Sequence, residues 1–188
     1  MNLDDLRAKI DECDRTIVQL LNERTEFVLE IGRLKKDSGG EIYVPAREKE
    51  VFDKVTDLNT GPLKDESVEA VYREIMSASL ALEHPVKIAY LGPQATFTNQ
   101  AARAKFGASV DYCDYETIQD VFEAVESKAV DYGVVPIENS TEGAVTHTLD
   151  RFMNSTARIY AEIYLDIALN LLAKCTRKEV ERAYSKQE

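Results

Sequence analysis

A chain of 188 residues is long enough for one or two domains with a buried core. Its formal net charge is −11, with 30% charged and 44% hydrophobic residues, which argues against nucleic acid as a general partner because phosphate binding needs clustered Lys and Arg. Any anionic ligand must be held by a local basic pocket, against an unfavourable overall field.

The first 83 residues carry helical signals almost throughout. Asn2 is placed to cap the first helix, with Asp5 three residues on. No Gly or Pro intervenes before Gly32, and the break comes at Gly39-Gly40. A helix over about residues 3–36 is expected, ~50 Å long, too long to bury its own apolar face in a small domain. Leu3, Leu6, Ile10, Cys13, Ile17, Leu20, Phe27, Ile31 and Leu34 follow steps of three and four, as in a coiled coil or bundle. The simplest partner for this seam is the same helix of a second subunit. Its one gap is filled by Arg24. A second helix is expected from Pro45, a favoured first-turn residue, to about Leu58. The turn Asn59-Thr60-Gly61-Pro62 ends it. A third should run from about Asp65 to Glu83, with Val68, Tyr72, Ile75 and Met76 as its stripe, closed by Pro85.

From Val86 the pattern changes. VKIAYL (86–91) reads as a buried strand, followed by a Gly-Pro turn and a helix over about 97–106. A strand at 109–112, a helix over 118–128 and a strand at 132–137 follow. This alternation indicates an α/β layer with parallel strands. Two further apolar runs lie at about 158–163 and 166–173, and the charged segment 177–188 reads as one more helix.

The three cysteines, Cys13, Cys113 and Cys175, are far apart with no CxxC pair, and read as reduced thiols. With only His84 and His147 and no Cys/His cluster, no metal site is expected. The sequence opens on acidic, amphipathic residues rather than a basic-apolar signal. No apolar run approaches the ~20 residues needed to span a bilayer. A cytoplasmic protein with no membrane contact is expected.

Polar residues interrupt the apolar faces of all three N-terminal helices. Arg24 lies in the seam, either to set its register or to meet a carboxylate or ligand, since an unpaired buried cation costs several kcal/mol. Lys35 is eleven residues on, so both project to one side ~16 Å apart and can converge on a small anion. Arg47 falls on the Val51–Val55 face of the second helix, with Glu48 beside Phe52. Ser79 and Glu83 continue the stripe of the third. One polar cavity inside the bundle accounts for these groups together. Arg7 shares the heptad position of Lys35 but lies about 42 Å away along a straight helix. The two can touch one ligand only from different subunits; otherwise Arg7 is a surface residue.

The segments LRAKIDECDRTIVQLLNER, IGRLKK, IYVPAREKEV and IMSASLALE resemble the all-helical class of chorismate mutases, in the form fused to prephenate dehydratase. The resemblance covers residues 3–83. It implies an intertwined dimer of three-helix subunits over residues 1–84. It also implies the Claisen rearrangement of chorismate to prephenate, a pericyclic step that needs no nucleophile or cofactor. Carried over by motif, Arg24, Lys35, Arg47, Glu48, Ser79 and Glu83 come from one subunit and Arg7 from the other. Arg7 and Arg24 would clamp the two carboxylates. Lys35 would donate to the ether oxygen, and Ser79 would contact a carboxylate. Glu48 would take the ring hydroxyl, with Arg47 orienting it and backbone near Val44 helping. Val44 stands where relatives often have Asp, and Glu83 where many have Gln. A carboxylate at 83 would repel the charge developing on the ether oxygen, so Glu83 is expected to work protonated, its pKa raised by burial.

IAYLGPQATFTNQAA and VVPIENSTEGAVTHTLD resemble the start of prephenate dehydratase. Residues 85–188 are therefore expected to form the first part of a periplasmic-binding-protein-like α/β domain. Thr96, Asn139, Ser140 and Thr148 would be polar groups near its cleft, although the same segments are rich in capping residues. The family's Thr-Arg-Phe triplet is absent, so the chain looks truncated and no dehydratase activity is expected of it. The competing reading is a non-enzymatic helical dimerisation module carrying a small-molecule-binding α/β lobe. That reading needs Arg24, Lys35 and Glu48 to pair only with each other.

Overall fold

The computed structural model describes residues 2–38, 45–139, 143–168, 172–174, 176, 180 and 182. Three helices open the chain: α1 (Leu3–Ser38), α2 (Pro45–Asp57) and α3 (Asp65–Glu83). The expected cap of α1 forms in both directions. The Asp5 amide donates to Asn2 Oδ1 at 2.8 Å, and the Asn2 amide donates to Asp5 Oδ2 at 2.9 Å. Helix α3 packs against both α1 and α2. The burial they produce falls in the later part of α1, since every residue from Asn2 to Leu20 is exposed. Leu3, Ile10, Ile17 and Leu20 are each more than half exposed, so the described residues leave this part of the apolar seam uncovered.

Beyond α3 the chain forms an α/β layer of β1 (Lys87–Leu91), α4 (Phe97–Phe106), β2 (Asp111–Tyr115), α5 (Ile118–Glu126) and β3 (Tyr132–Val134). The sheet is parallel with order β2-β1-β3, its register set by pairs such as Ala89 with Cys113 and with Gly133. Central β1 is buried on both faces, which is why its sequence is apolar without alternation. Its even positions Ile88 and Tyr90 pack with Ala102 and Phe106 of α4, and Ala89 packs with Val121 and Ala124 of α5. A two-stranded hairpin, β4 (Glu138–Asn139) with β5 (Gly143–Ala144), and helix α6 (Thr146–Asn154) follow.

The first strand and the helices at 65–83 and 97–106 fall where the sequence puts them. The strand expected at 109–112 runs instead from 111 to 115, because pairing with β1 begins at Asp111. The strand expected at 132–137 stops at Val134, ahead of Pro136, which has no amide to donate to a ladder. Residues 155–168 form neither helix nor strand, so the apolar run at 158–163 builds no regular element. Residues 169–171 of the run at 166–173 and nearly all of the helix expected at 177–188 lie outside the described residues. No helix among the described residues is long and apolar enough to cross a membrane.

The two halves share a boundary layer. Leu80 of α3 packs on the Val86–Ile88–Tyr90 cluster. The Ala108 and Ser109 amides donate to Glu74 Oε2 at 3.0 Å and Ser77 Oγ at 3.1 Å. Gly107 sits at φ +75°, and a Cβ there would lie 2.5 Å from Ser77 Cβ, so both the backbone conformation and the close approach call for glycine.

Candidate active site

Arg24 of α1 and Ser79 of α3 meet across the helix pair. The half-buried guanidinium donates from Nη1 to Ser79 Oγ at 3.0 Å. The Ser79 hydroxyl donates its own proton to the Ile75 carbonyl at 2.8 Å, one turn back, so towards Arg24 it can only accept. That satisfies one of five guanidinium donors, without countercharge. No carboxylate lies within ion-pair distance of Arg24 among the described residues.

Glu83, one turn beyond Ser79, lies over Gly32 of α1. A Cβ at position 32 would come within 2.6 Å of Glu83 Cγ and 2.9 Å of its Oε1. Glycine costs about 1 kcal/mol in a helix interior relative to Ala. The cost has a visible return here, because only a bare backbone lets the Glu83 side chain lie against α1. Glu83 Oε1 is buried without a hydrogen-bond partner among the described residues. Contacts at 24–79 and 32–83 mean that α1 and α3 run in the same direction at this interface. Lys35 is half-buried in the last turn of α1, three residues past Gly32.

Glu48, in the first turn of α2, has a side chain only 11% exposed. Its Oε2 is 2.7 Å from the ammonium of Lys105, at the end of α4. Arg47 is 62% exposed and donates to Glu50 Oε2 at 2.8 Å rather than to Glu48. Arg7 is exposed on the uncovered part of α1, with Asp4 at 3.4 Å. Because α1 is one continuous helix, the ~42 Å between Arg7 and Lys35 persists within the chain. Val44 and Ser140 lie outside the described residues.

In the α/β half, Thr96 caps α4. Its hydroxyl accepts from the Asn99 amide at 3.3 Å and donates to the Leu91 carbonyl at 3.0 Å. Thr148 is fully buried and donates to the Pro136 carbonyl at 2.6 Å. Both hydroxyl protons are thus spent on main chain. Asn139 pairs with Gly143 in the hairpin through its backbone. Among the described residues no group of three or more His, Cys, Asp or Glu side chains is placed to hold a metal ion.

Arg24 and Ser79 thus meet in one chain, with Glu83 one turn further along α3 against Gly32, whereas Arg7 stands apart from them. Two residues of this region went unread in the sequence. Gly32 carried a signal, as a lone glycine inside a long helix. Lys105 carried none, because no local pattern ties it to a residue 57 positions away.

The model of the prephenate dehydratase family matches residues 88–188, more than half of the chain. The chain belongs to that family. A second family model, chorismate mutase type II, matches residues 6–84, so the three helices are a domain of that type joined to the dehydratase sequence. A bifunctional chorismate mutase/prephenate dehydratase from Aquifex aeolicus (strain VF5) is 47% identical over 188 residues, covering 97% of this chain and 52% of that protein. A protein of the same name from Neisseria gonorrhoeae (strain ATCC 700825 / FA 1090) is 48% identical over 168 residues, covering 89% of this chain and 46% of that one. A chorismate mutase of known structure from Thermus thermophilus is 42% identical, with a TM-score of 0.42, covering 43% of this chain and 92% of that chain. The chain spans about half the length of the bifunctional relatives it matches.

Proposed function

We propose that residues 1–84 form a cytoplasmic chorismate mutase that converts chorismate to prephenate on the route to phenylalanine, and that residues 85–188 begin a dehydratase domain. The observation that carries this reading is the Arg24 guanidinium, half-buried against the Ser79 hydroxyl with no countercharge among the described residues, while one turn along α3 a Glu83 oxygen is buried with no hydrogen-bond partner among them. A scaffold would leave such groups paired, since an unpaired buried charge or polar oxygen is costly. A pocket for a dianion leaves its cation open to the ligand. The names of the bifunctional relatives support the same reading, and the dehydratase step is assigned to a longer chain than these 188 residues.

The reaction is pericyclic, so the protein acts by geometry and charge. Arg24 of one subunit and Arg7 of the other hold the two carboxylates, favouring the compact reactive conformer. Lys35 and Glu83 face the ether oxygen and stabilise the negative charge that grows as its bond to carbon breaks. Ser79 accepts from Arg24 and so steadies its guanidinium. Glu48, near the chain's Val44 and Arg47, accepts from the ring hydroxyl. Following the loss of chorismate absorbance with the purified protein, without added metal or cofactor, tests the whole proposal. Turnover supports it; a folded dimer without turnover overturns it.

The ether oxygen needs a neutral or cationic donor, so Glu83→Gln, a donor that does not ionise, is expected to keep kcat/KM at or above that of the wild type. A loss of about tenfold or more in this variant would remove Glu83 from this role. Gly32→Ala should strengthen α1 as a helix yet lower kcat/KM about tenfold, by pushing Glu83 off its seat. Circular dichroism beside steady-state kinetics would separate the two effects, and wild-type kinetics in the variant would show that the seat is unimportant.

A further inference from the structure

Glu48 poses an electrostatic problem for the proposed reaction. It places a carboxylate beside a substrate that already carries two negative charges, in a chain of net charge −11. The helical half offers Arg24 and Lys35 for the substrate itself. The α/β half supplies a further cation. Lys105 reaches from the last turn of α4 to α2 and sets its ammonium 2.7 Å from Glu48 Oε2, with side chains 24% and 11% exposed. In water such a pair contributes little, but this one is mostly screened from solvent, where charge-assisted hydrogen bonds are stronger.

The ammonium is also held in place from behind. The turn that follows α4 is fastened to α3 by the hydrogen bonds of Ala108 to Glu74 and Ser109 to Ser77, with Gly107 packed directly on Ser77. The end of α4 is thus fixed against the same helix that carries Ser79 and Glu83. The ion pair is not sealed inside the protein. It lines an open cavity of about 470 Å3, bounded also by Phe52 of α2 and by Tyr160.

We propose that Lys105 is a positioning residue for the mutase, through which the α/β half completes the active site of the helical half. It fixes the carboxylate of Glu48 and offsets its charge. The assignment rests on the proposed role of Glu48, and the test separates the two ideas.

Lys105→Met keeps an unbranched side chain only one atom shorter and removes its charge. It is expected to lower kcat/KM about tenfold, mostly through KM, with Lys105→Arg restoring most of the loss. In a Glu48→Gln background the same change should cost less than about twofold, because no carboxylate remains to be held or neutralised. Equal losses in both backgrounds, or a lower melting temperature with kcat and KM unchanged, would make the pair a plain tether between the halves and overturn the proposal. A wild-type protein without turnover would overturn the mutase reading itself. A Lys105 effect undiminished by Glu48→Gln would leave that reading standing and sink only this inference.

Discussion

Arg24→Ala is expected to abolish the turnover of chorismate, lowering kcat/KM by about a thousandfold or more. A preorganised donor to developing or bound negative charge is worth ~10²–10³ in rate by itself, and this guanidinium also holds a carboxylate of the substrate. The cost to the fold should be small. The variant loses one hydrogen bond to Ser79, a net contribution of about 1 kcal/mol, and relieves the half-buried charge. Thermal melting should therefore move little while activity disappears. Arg24→Lys should recover only part of the rate, because an ammonium lacks the planar fork that grips a carboxylate with two parallel bonds. A large loss of stability with activity retained would instead make Arg24 a structural residue of the seam.

The helical half was legible because its errors were informative. Arg24, Ser79 and Glu83 stand where an amphipathic helix should be apolar; Arg24 meets Ser79, and Glu83 lies one turn on against Gly32. Helix ends were legible where capping chemistry is local: Asn2 with Asp5, Thr96 with Asn99, and Pro85 after α3. Strand β2 was misplaced because it lies at the edge of the sheet. Its sequence DYCDY leaves Asp111 and Asp114 in solvent, so it lacks the apolar run that marked β1. Helix α6 went unread because its fully buried residue is Thr148, a polar side chain whose burial depends on the Pro136 carbonyl from another segment.

The joint between the halves was not legible at all. Glu74, Ser77 and Lys105 look like solvent-facing helix residues in the sequence. Each acquires its role only when α4 and its following turn come to rest on α2 and α3. Pairings across 32 to 57 residues leave no periodic trace. The sequence break at Pro85 is thus a change of secondary structure rather than a gap in packing.

A mixture of two inactive variants, Arg7→Ala and Arg24→Ala, is expected to regain activity once their subunits are exchanged. Each site of the proposed dimer takes Arg24 from one subunit and Arg7 from the other, as the ~42 Å between Arg7 and Lys35 along α1 requires of any shared ligand. The uncovered stretch from Asn2 to Leu20, with Leu3, Ile10, Ile17 and Leu20 more than half exposed, is the surface on which the second subunit would lie. A mixed dimer then has one site with both arginines intact and one with neither. Random exchange at equal concentrations makes half the dimers mixed, so about one quarter of wild-type activity should return. Subunits exchanged by co-expression or by refolding together, assayed for chorismate loss, would give that value. If Arg7 served the site of its own chain, or no site, the outcome would differ in kind. In the first case every site of the mixture would lack one arginine and no activity would return. In the second Arg7→Ala would be active before any mixing. Sedimentation of each variant as a dimer secures the comparison, since neither arginine is needed to bury the seam.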